Sequence, residues 1–260
     1  MSASSPGRGT WTTRGGTVTA DGTQPGVYYA LAAGRPLVGQ ASGSVDLWAV
    51  NRGVRAIQTA LARTGQTLTI DGIFGPRTKT AVVAFQQTQG AVRVGAADGV
   101  VGPRTATWLF LAHVKLIQQL LAIPSNLLYG LLAHESSFDP GAVGANVVAP
   151  ADRLLPENDL LRAGEPADLG IGQLNLYWNP VCTRDQAMQP FPTGEWPGTI
   201  RFAGNHLADA LVHYKLVDAA ICSYNSPVRA QAWDTTGAAP DERAASYVAA
   251  VWTQAKACPL

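Results

Sequence analysis

The sequence predicts a mainly α protein: two folded units behind a short irregular or β-prone arm. Three observations predict it. From about Asp46 onward, apolar residues recur at helical spacing. A turn signature, Asp-Gly-x-x-Gly-Pro-Arg-Thr, occurs twice, and each copy opens a helix. Finally, the stretch Leu127 to Pro140 reads as an apolar helix ending on a carboxylate.

Apolar residues make up 47% of the 260-residue chain and charged residues 14%, which fits a globular protein and excludes a disordered one. The net charge of +1, without a basic stripe, argues against binding nucleic acid. No apolar run reaches the length of a membrane span, so no membrane insertion is expected. The opening residues lack the basic-then-apolar order of a secretory signal. Synthesis in the cytoplasm is therefore expected, with any outside destination reached by another route. Cys182, Cys222 and Cys258 contain no CxxC pair. Free buried thiols are the default, and a Cys182–Cys258 or Cys182–Cys222 bridge stays open. Neither metal nor cofactor is expected. His134-Glu135 begins like the HExxH motif of zinc proteases, but Phe138 stands where the second His belongs.

Residues 1–46 are rich in Gly, Thr and Ser, with β-prone pieces at Thr17–Thr19 and Val27–Leu31. They read as an arm or small appendage. Val50, Val54, Ile57 and Leu61 then form one helical face that ends at Gly65. Leu68 to Ile70 is a short β-prone run before the first signature, Asp71 to Thr78. A helix with Ala81, Val82 and Phe85 follows and stops at Gly90. The signature returns at Asp98 to Thr105 and leads into a helix with Trp108 and Leu109. Asp-Gly makes the tight turn, the second Gly frees the backbone, and Pro presets φ for the first helical turn.

Residues 50–110 resemble the three-helix peptidoglycan-binding domain family. Ile57-Gln58, Leu61, Gly65, Asp71-Gly72, Phe74-Gly75, Thr78, Ala81-Val82 and Phe85-Gln86 fall on its signature. The resemblance implies bacterial peptidoglycan as the partner and a domain over 47–112. Asp71, Thr78, Asp98 and Thr105 are candidates for the wall-binding surface, and equally for capping helices. A further amphipathic helix carries Val114, Ile117, Leu120 and Leu121, so the boundary is expected near 110–116 with little linker.

In the second unit, Leu127, Leu128, Leu131 and Leu132 recur at helical spacing, and Glu135 falls on the side of Leu128 and Leu131. Ser125 is the expected N-cap and Asp139-Pro140 the expected stop, so Glu135 lies near the helix C-terminus. Apolar surroundings and the negative end of the helix both disfavour its anion. A glutamate that keeps its proton near neutral pH is what a general acid requires.

Four segments then resemble the soluble lytic transglycosylases, in order, over about 120–228. They are Glu135-Ser136-Ser137-Phe138 with Pro140 and Ala142, then Gly170-Ile171-Gly172-Gln173, then Ile200 to Gly204 with Leu207, and finally Ala219 to Asn225 ending in Tyr224-Asn225. The resemblance implies an α-rich, lysozyme-like catalytic domain over 113–260. It implies that Glu135 acts as acid and then base on the bond between N-acetylmuramic acid and N-acetylglucosamine. Gln173 would hydrogen-bond the sugar, Tyr224 would orient Glu135, Asn225 would support the turn, and Ser136 would fix local backbone or touch substrate.

Two departures from the family pattern matter. A long insertion at 145–167 carries Asp152, Glu157, Asp159 and Glu165 and is a candidate lid or source of subsites. Asp168 is the best-placed second carboxylate. At about 6.5–9.5 Å from Glu135 it would permit an inverting, hydrolytic muramidase, whereas its more ordinary role is to stabilise a turn. Tyr177, Trp178 and Trp196 are candidate sugar-stacking walls or plain packing residues. The closing segment, Asp241 to Lys256, places Ala244, Tyr247, Val248, Val251 and Trp252 at helical spacing.

The expected function is glycan-strand cleavage in peptidoglycan by an endolysin released through a holin, or by a lysin carried on a phage or injection particle. Residues 1–46 are the candidate attachment to a structural protein of such a particle. A non-catalytic wall-binding component is the alternative. A cysteine amidase built on Cys222 with His206 or His213 is disfavoured, because both histidines precede the cysteine.

Overall fold

The computed structural model describes residues 9–13, 16–20, 47–101, 103–124, 126–138, 142–148, 153–192 and 195–259. In the arm, β1 (Gly9–Thr13) pairs antiparallel with β2 (Gly16–Ala20), from Gly9↔Ala20 to Thr13↔Gly16. The β-prone Thr17–Thr19 lies in β2. Val27–Leu31 and most of the remaining arm lie outside the described residues, as do Ser125, Asp139, Pro140 and Asp152.

The first unit is helical as expected: α1 (Leu47–Arg63), α2 (Pro76–Gln89), a one-turn α3 (Ala91–Val94) and α4 (Pro103–Leu120). Val54, Ile57, Leu61, Phe74, Val82, Phe85, Val101 and Leu109 are buried together, each large side chain contributing about 2 kcal/mol of transfer free energy. Leu68–Ile70 forms no strand; Arg55 Nη1 instead donates to the Ile70 carbonyl at 2.9 Å. Helix α3 had no periodic signal in four residues. Arg104 holds it by donating to the carbonyls of Val92 and Arg93, while the Arg93 guanidinium lies 4.6 Å from the centre of the Trp108 ring.

The expected boundary near 110–116 falls inside α4, which runs on without a break. One helix packs on α1 and α3 at one end and on α5 (Leu127–Ser136) and α7 (Thr199–His213) at the other, so a single apolar core is continuous from Val54 to Val251. Helix α5 (Leu127–Ser136) lies at its centre. Every residue from Leu127 to Ala133 is buried, as in a helix apolar all round. Helix α5 packs on α7 and α10 (Glu242–Lys256); α8 (Val217–Asn225) packs on those two, and α9 (Pro227–Thr236) packs on α8. Gly130 lets α10 come close: a Cβ there would meet the Val251 carbonyl oxygen at 2.4 Å.

The insertion forms a satellite, not a simple loop. Strand β3 (Arg153–Leu154) pairs with β4 (Leu160–Leu161), and β5 (Asp168–Leu169) pairs with β6 (Leu174–Asn175). Val148, Leu155, Leu161, Leu169, Leu174, Leu176, Cys182 and Trp196 make a second, smaller core beneath them. Arg184, on the one-turn α6 (Arg184–Ala187), pairs with Glu165 and lies 3.6 Å from Asp159. Those two acids therefore brace the satellite. All three cysteines are free thiols. No helix among the described residues is long and apolar enough to cross a membrane.

Candidate active site

Helix α5 ends because Ser137 and Phe138 both take left-handed backbone (φ 53 and 65). Glu135 and Ser136 are thereby left in the last turn. At the other end Asn126, not a Ser/Thr-type side-chain cap, precedes the helix; Gln118 of α4 accepts the Tyr129 N–H at 3.2 Å. Ser136 Oγ donates to the Ile171 carbonyl at 2.7 Å, which ties the end of α5 to the β5–β6 turn.

Glu135 is half-buried. Burial pushes its pKa from 4.5 up to about 7, against a hydrogen bond from the Tyr247 hydroxyl, with the Asp168 charge adding to the rise. The phenol that touches Glu135 is therefore Tyr247, not Tyr224. Tyr224 donates instead to the Gly172 carbonyl at 2.7 Å. Gly172 leaves room for that bond, since a Cβ would sit 3.0 Å from the Tyr224 oxygen. Tyr224 still lies within the field of the site: burial raises its pKa first, and the charges of Glu135 and Asp168 add to it. Tyr247 is shifted upward in the same way, by burial and then by Glu135. Sequence reasoning placed Tyr247 only as a packing residue of the closing helix. The signal was there in chemical form, because a phenol on a packed helical face must find a hydrogen-bond partner.

Gln173 sits in the turn with φ 47, a strained value for a residue with a side chain, and its Nε2 donates to Gly170 O at 2.9 Å. Its Oε1 faces the Gly144 backbone beside Asp168: a Cβ at Gly144 would be 2.7 Å from Oε1 and 2.9 Å from Asp168 Oδ2. Asp168 is buried and accepts from Asn146 Nδ2 at 2.5 Å and Asn175 Nδ2 at 2.6 Å. Glu135, Ser136, Gln173, Tyr224 and Asp168 are thus brought together by α5, α8 and the β5–β6 turn. Asn225 is exposed at the end of α8.

Trp196 is not a sugar wall. It is 6% exposed, stacked on Phe202, and packed in the smaller core. Trp178 is 73% exposed. Burial raises the thiols of Cys182, to about 12, and Cys222, which is the reverse of what a nucleophile needs. Among the described residues no three His, Cys, Asp or Glu side chains converge as a metal-ligand set.

In the first unit, the four turn residues surround two buried glutamines. Gln58 Nε2 donates to Asp71 Oδ1 (2.8 Å), Thr78 Oγ1 (3.0 Å) and Ile73 O (3.2 Å), while its Oε1 accepts from Gly72 N (2.8 Å). Gln86 repeats the pattern with Asp98 (3.2 Å), Thr105 (3.2 Å), Val100 O (2.9 Å) and Gly99 N (2.9 Å). Asp71 and Thr78 do not cap α2, which Gly75 precedes with no side-chain cap. The Gln58 hydrogen bond, and then the Ile73 N–H, hold Asp71 below the usual carboxylate range. On the outer side, Asp71 and Thr78 line a pocket of about 350 Å³ with exposed Ile73 and Arg77.

Residues 51–109 match the peptidoglycan binding domain family. The zinc D-Ala-D-Ala carboxypeptidase of Streptomyces albus G is 43% identical over 67 residues, a stretch covering 25% of this chain and 25% of that protein. The chain therefore carries a peptidoglycan-binding domain at residues 51–109.

Proposed function

We propose that the protein is a modular peptidoglycan-degrading enzyme, a lytic transglycosylase whose residues 113–260 form a lysozyme-like catalytic unit tethered by the wall-binding domain. One observation carries the reading. A carboxyl pushed up to about 7 by burial, with a phenol on one oxygen, closes a helix that Ser136 ties to the same turn on which Tyr224 closes. At neutral pH both its forms are populated, as an acid that must turn base requires.

Protonated Glu135 gives its proton to the glycosidic oxygen as the C1–O bond of N-acetylmuramic acid breaks, freeing the N-acetylglucosamine end as an alcohol. The resulting carboxylate then takes the proton of the muramic 6-hydroxyl, whose oxygen closes on C1 to give a 1,6-anhydro end without water. Tyr247 orients Glu135. Gln173 and Tyr224 shape the sugar-side wall; the Gln173 amide keeps a second N–H beyond the one given to Gly170. Asn225, at the exposed end of α8, contacts the strand further out. The domain at 51–109 raises the local concentration of scissile bonds on an insoluble polymer.

A hydrolytic muramidase is the second reading, favoured by the reach of the Asp168 charge to Glu135. The two asparagines that donate to the Asp168 oxygens favour its turn-stabilising role instead. The test is Glu135→Gln: wall digestion is lost while wall binding is kept. Full digestion by that variant overturns the mechanism.

A further inference from the structure

The side chain of Trp178 is 73% exposed, and the structure builds a support for it. Asn175 is the hub. Its Nδ2 donates to Asp168 Oδ1 at 2.6 Å, and its Oδ1 accepts the Trp178 N–H at 3.0 Å. One side chain thus links the carboxylate beside Glu135 to the backbone of the tryptophan. The Asn179 N–H closes the same turn on Asn175 O at 2.9 Å.

The ring has a second support. Tyr177 meets Trp178 at 4.8 Å between centroids, nearly perpendicular, and Tyr177 itself packs on the smaller core. Arg153, from the β3 strand of the insertion, places its guanidinium 5.0 Å from the Tyr177 ring centre. An indole left 73% exposed by a folding chain is ordinary when it stands alone. Here its backbone and its neighbouring ring are both held, and the holding residues come from the site hairpin and from the insertion.

We propose that Trp178 is a sugar-stacking platform, a subsite that takes one N-acetylhexosamine ring of the glycan strand beside the scissile bond. The apolar C–H face of a pyranose packs on an aromatic face, and a pre-set ring loses little freedom on binding. The insertion then has a role without being a lid: it carries Arg153, which steadies Tyr177 beneath the platform. This assignment rests on the glycan-cleaving reading of the same site.

The test measures binding apart from turnover. Soluble oligomers of N-acetylglucosamine are titrated into the full chain carrying Glu135→Gln, with binding followed by calorimetry. Adding Trp178→Ala is expected to weaken binding by roughly three- to tenfold, whereas Trp178→Phe keeps most of it. Because the indole is exposed, neither change disturbs the cores. Oligomer affinity indifferent to Trp178→Ala, or no binding before that change, overturns the proposal. Turnover by the Glu135→Gln chain would instead count against the catalytic reading and leave the affinity comparison readable.

Discussion

Tyr247 donates its hydroxyl to Glu135 Oε1 across 112 positions of the chain, joining the end of α5 to the face of α10. Two opposed effects meet at that carboxyl. Burial, with the Asp168 charge, favours the acid, and the phenol favours the anion; the balance falls at about 7. The pair exists because Gly130 and the Val251 carbonyl let the two helices approach.

Tyr247→Phe removes the influence that favours the anion. The Glu135 pKa rises further, so the alkaline limb of the pH–rate profile moves above 7 while the maximal rate falls about tenfold. Rates measured on purified wall across pH 5–9 decide the matter. A loss of stability with an unmoved limb would make Tyr247 a packing residue only.

Gly130→Ala drives a methyl group into backbone that cannot yield without moving α10. The cost is about 1–3 kcal/mol, and the shift separates Tyr247 from Glu135. Thermal melting and wall digestion are expected to fall together. An unchanged melting midpoint would mean that the helices are not in close contact at this point.

Glu135→Gln links the site to stability. The folded chain binds the Glu135 proton more tightly than the unfolded chain. Stability from this group is therefore full below about pH 4.5 and lost as pH rises through about 7. The span is at most about 3 kcal/mol, since the group is partly exposed. Glutamine has no charge to bury, so above pH 7 the variant melts higher than the parent, and denaturant midpoints across pH 4–9 show it. Parallel curves for the two chains would contradict the raised pKa.

The helices of both units were legible because their apolar periodicity was strong: Val54, Ile57 and Leu61 in α1, and Ala244, Val248 and Val251 in α10, are all buried. Glu135 was legible too, as a lone carboxylate closing an apolar helix. The partner of Glu135 was not, because the choice between Tyr224 and Tyr247 depends on which acceptor each phenol reaches in three dimensions. Local spacing also leaves unread the one-turn helices α3 and α6, which arginine contacts hold in place, and the second core under the insertion, which forms only when four short strands pair. In the wall-binding domain the repeat was plain, but its centre was not the Asp-Gly turn. It is the buried glutamine one helix earlier, which each turn wraps around.

Gln58→Leu keeps the volume and removes four hydrogen bonds, leaving the Gly72 N–H without its acceptor. A loss of about 2–3 kcal/mol is expected, with weaker retention on insoluble wall, and Gln86→Leu behaves alike. Chemical denaturation and pull-down on peptidoglycan report the two effects. A neutral substitution at both positions would show that the Asp-Gly turns hold themselves.

The most direct measurement is mass spectrometry of the soluble products released from purified peptidoglycan by the full chain and by Glu135→Gln. Muropeptides ending in 1,6-anhydro-muramic acid from the parent, and none from the variant, are the predicted result. Fragments cut only in the peptide, or equal release by both chains, would contradict the account.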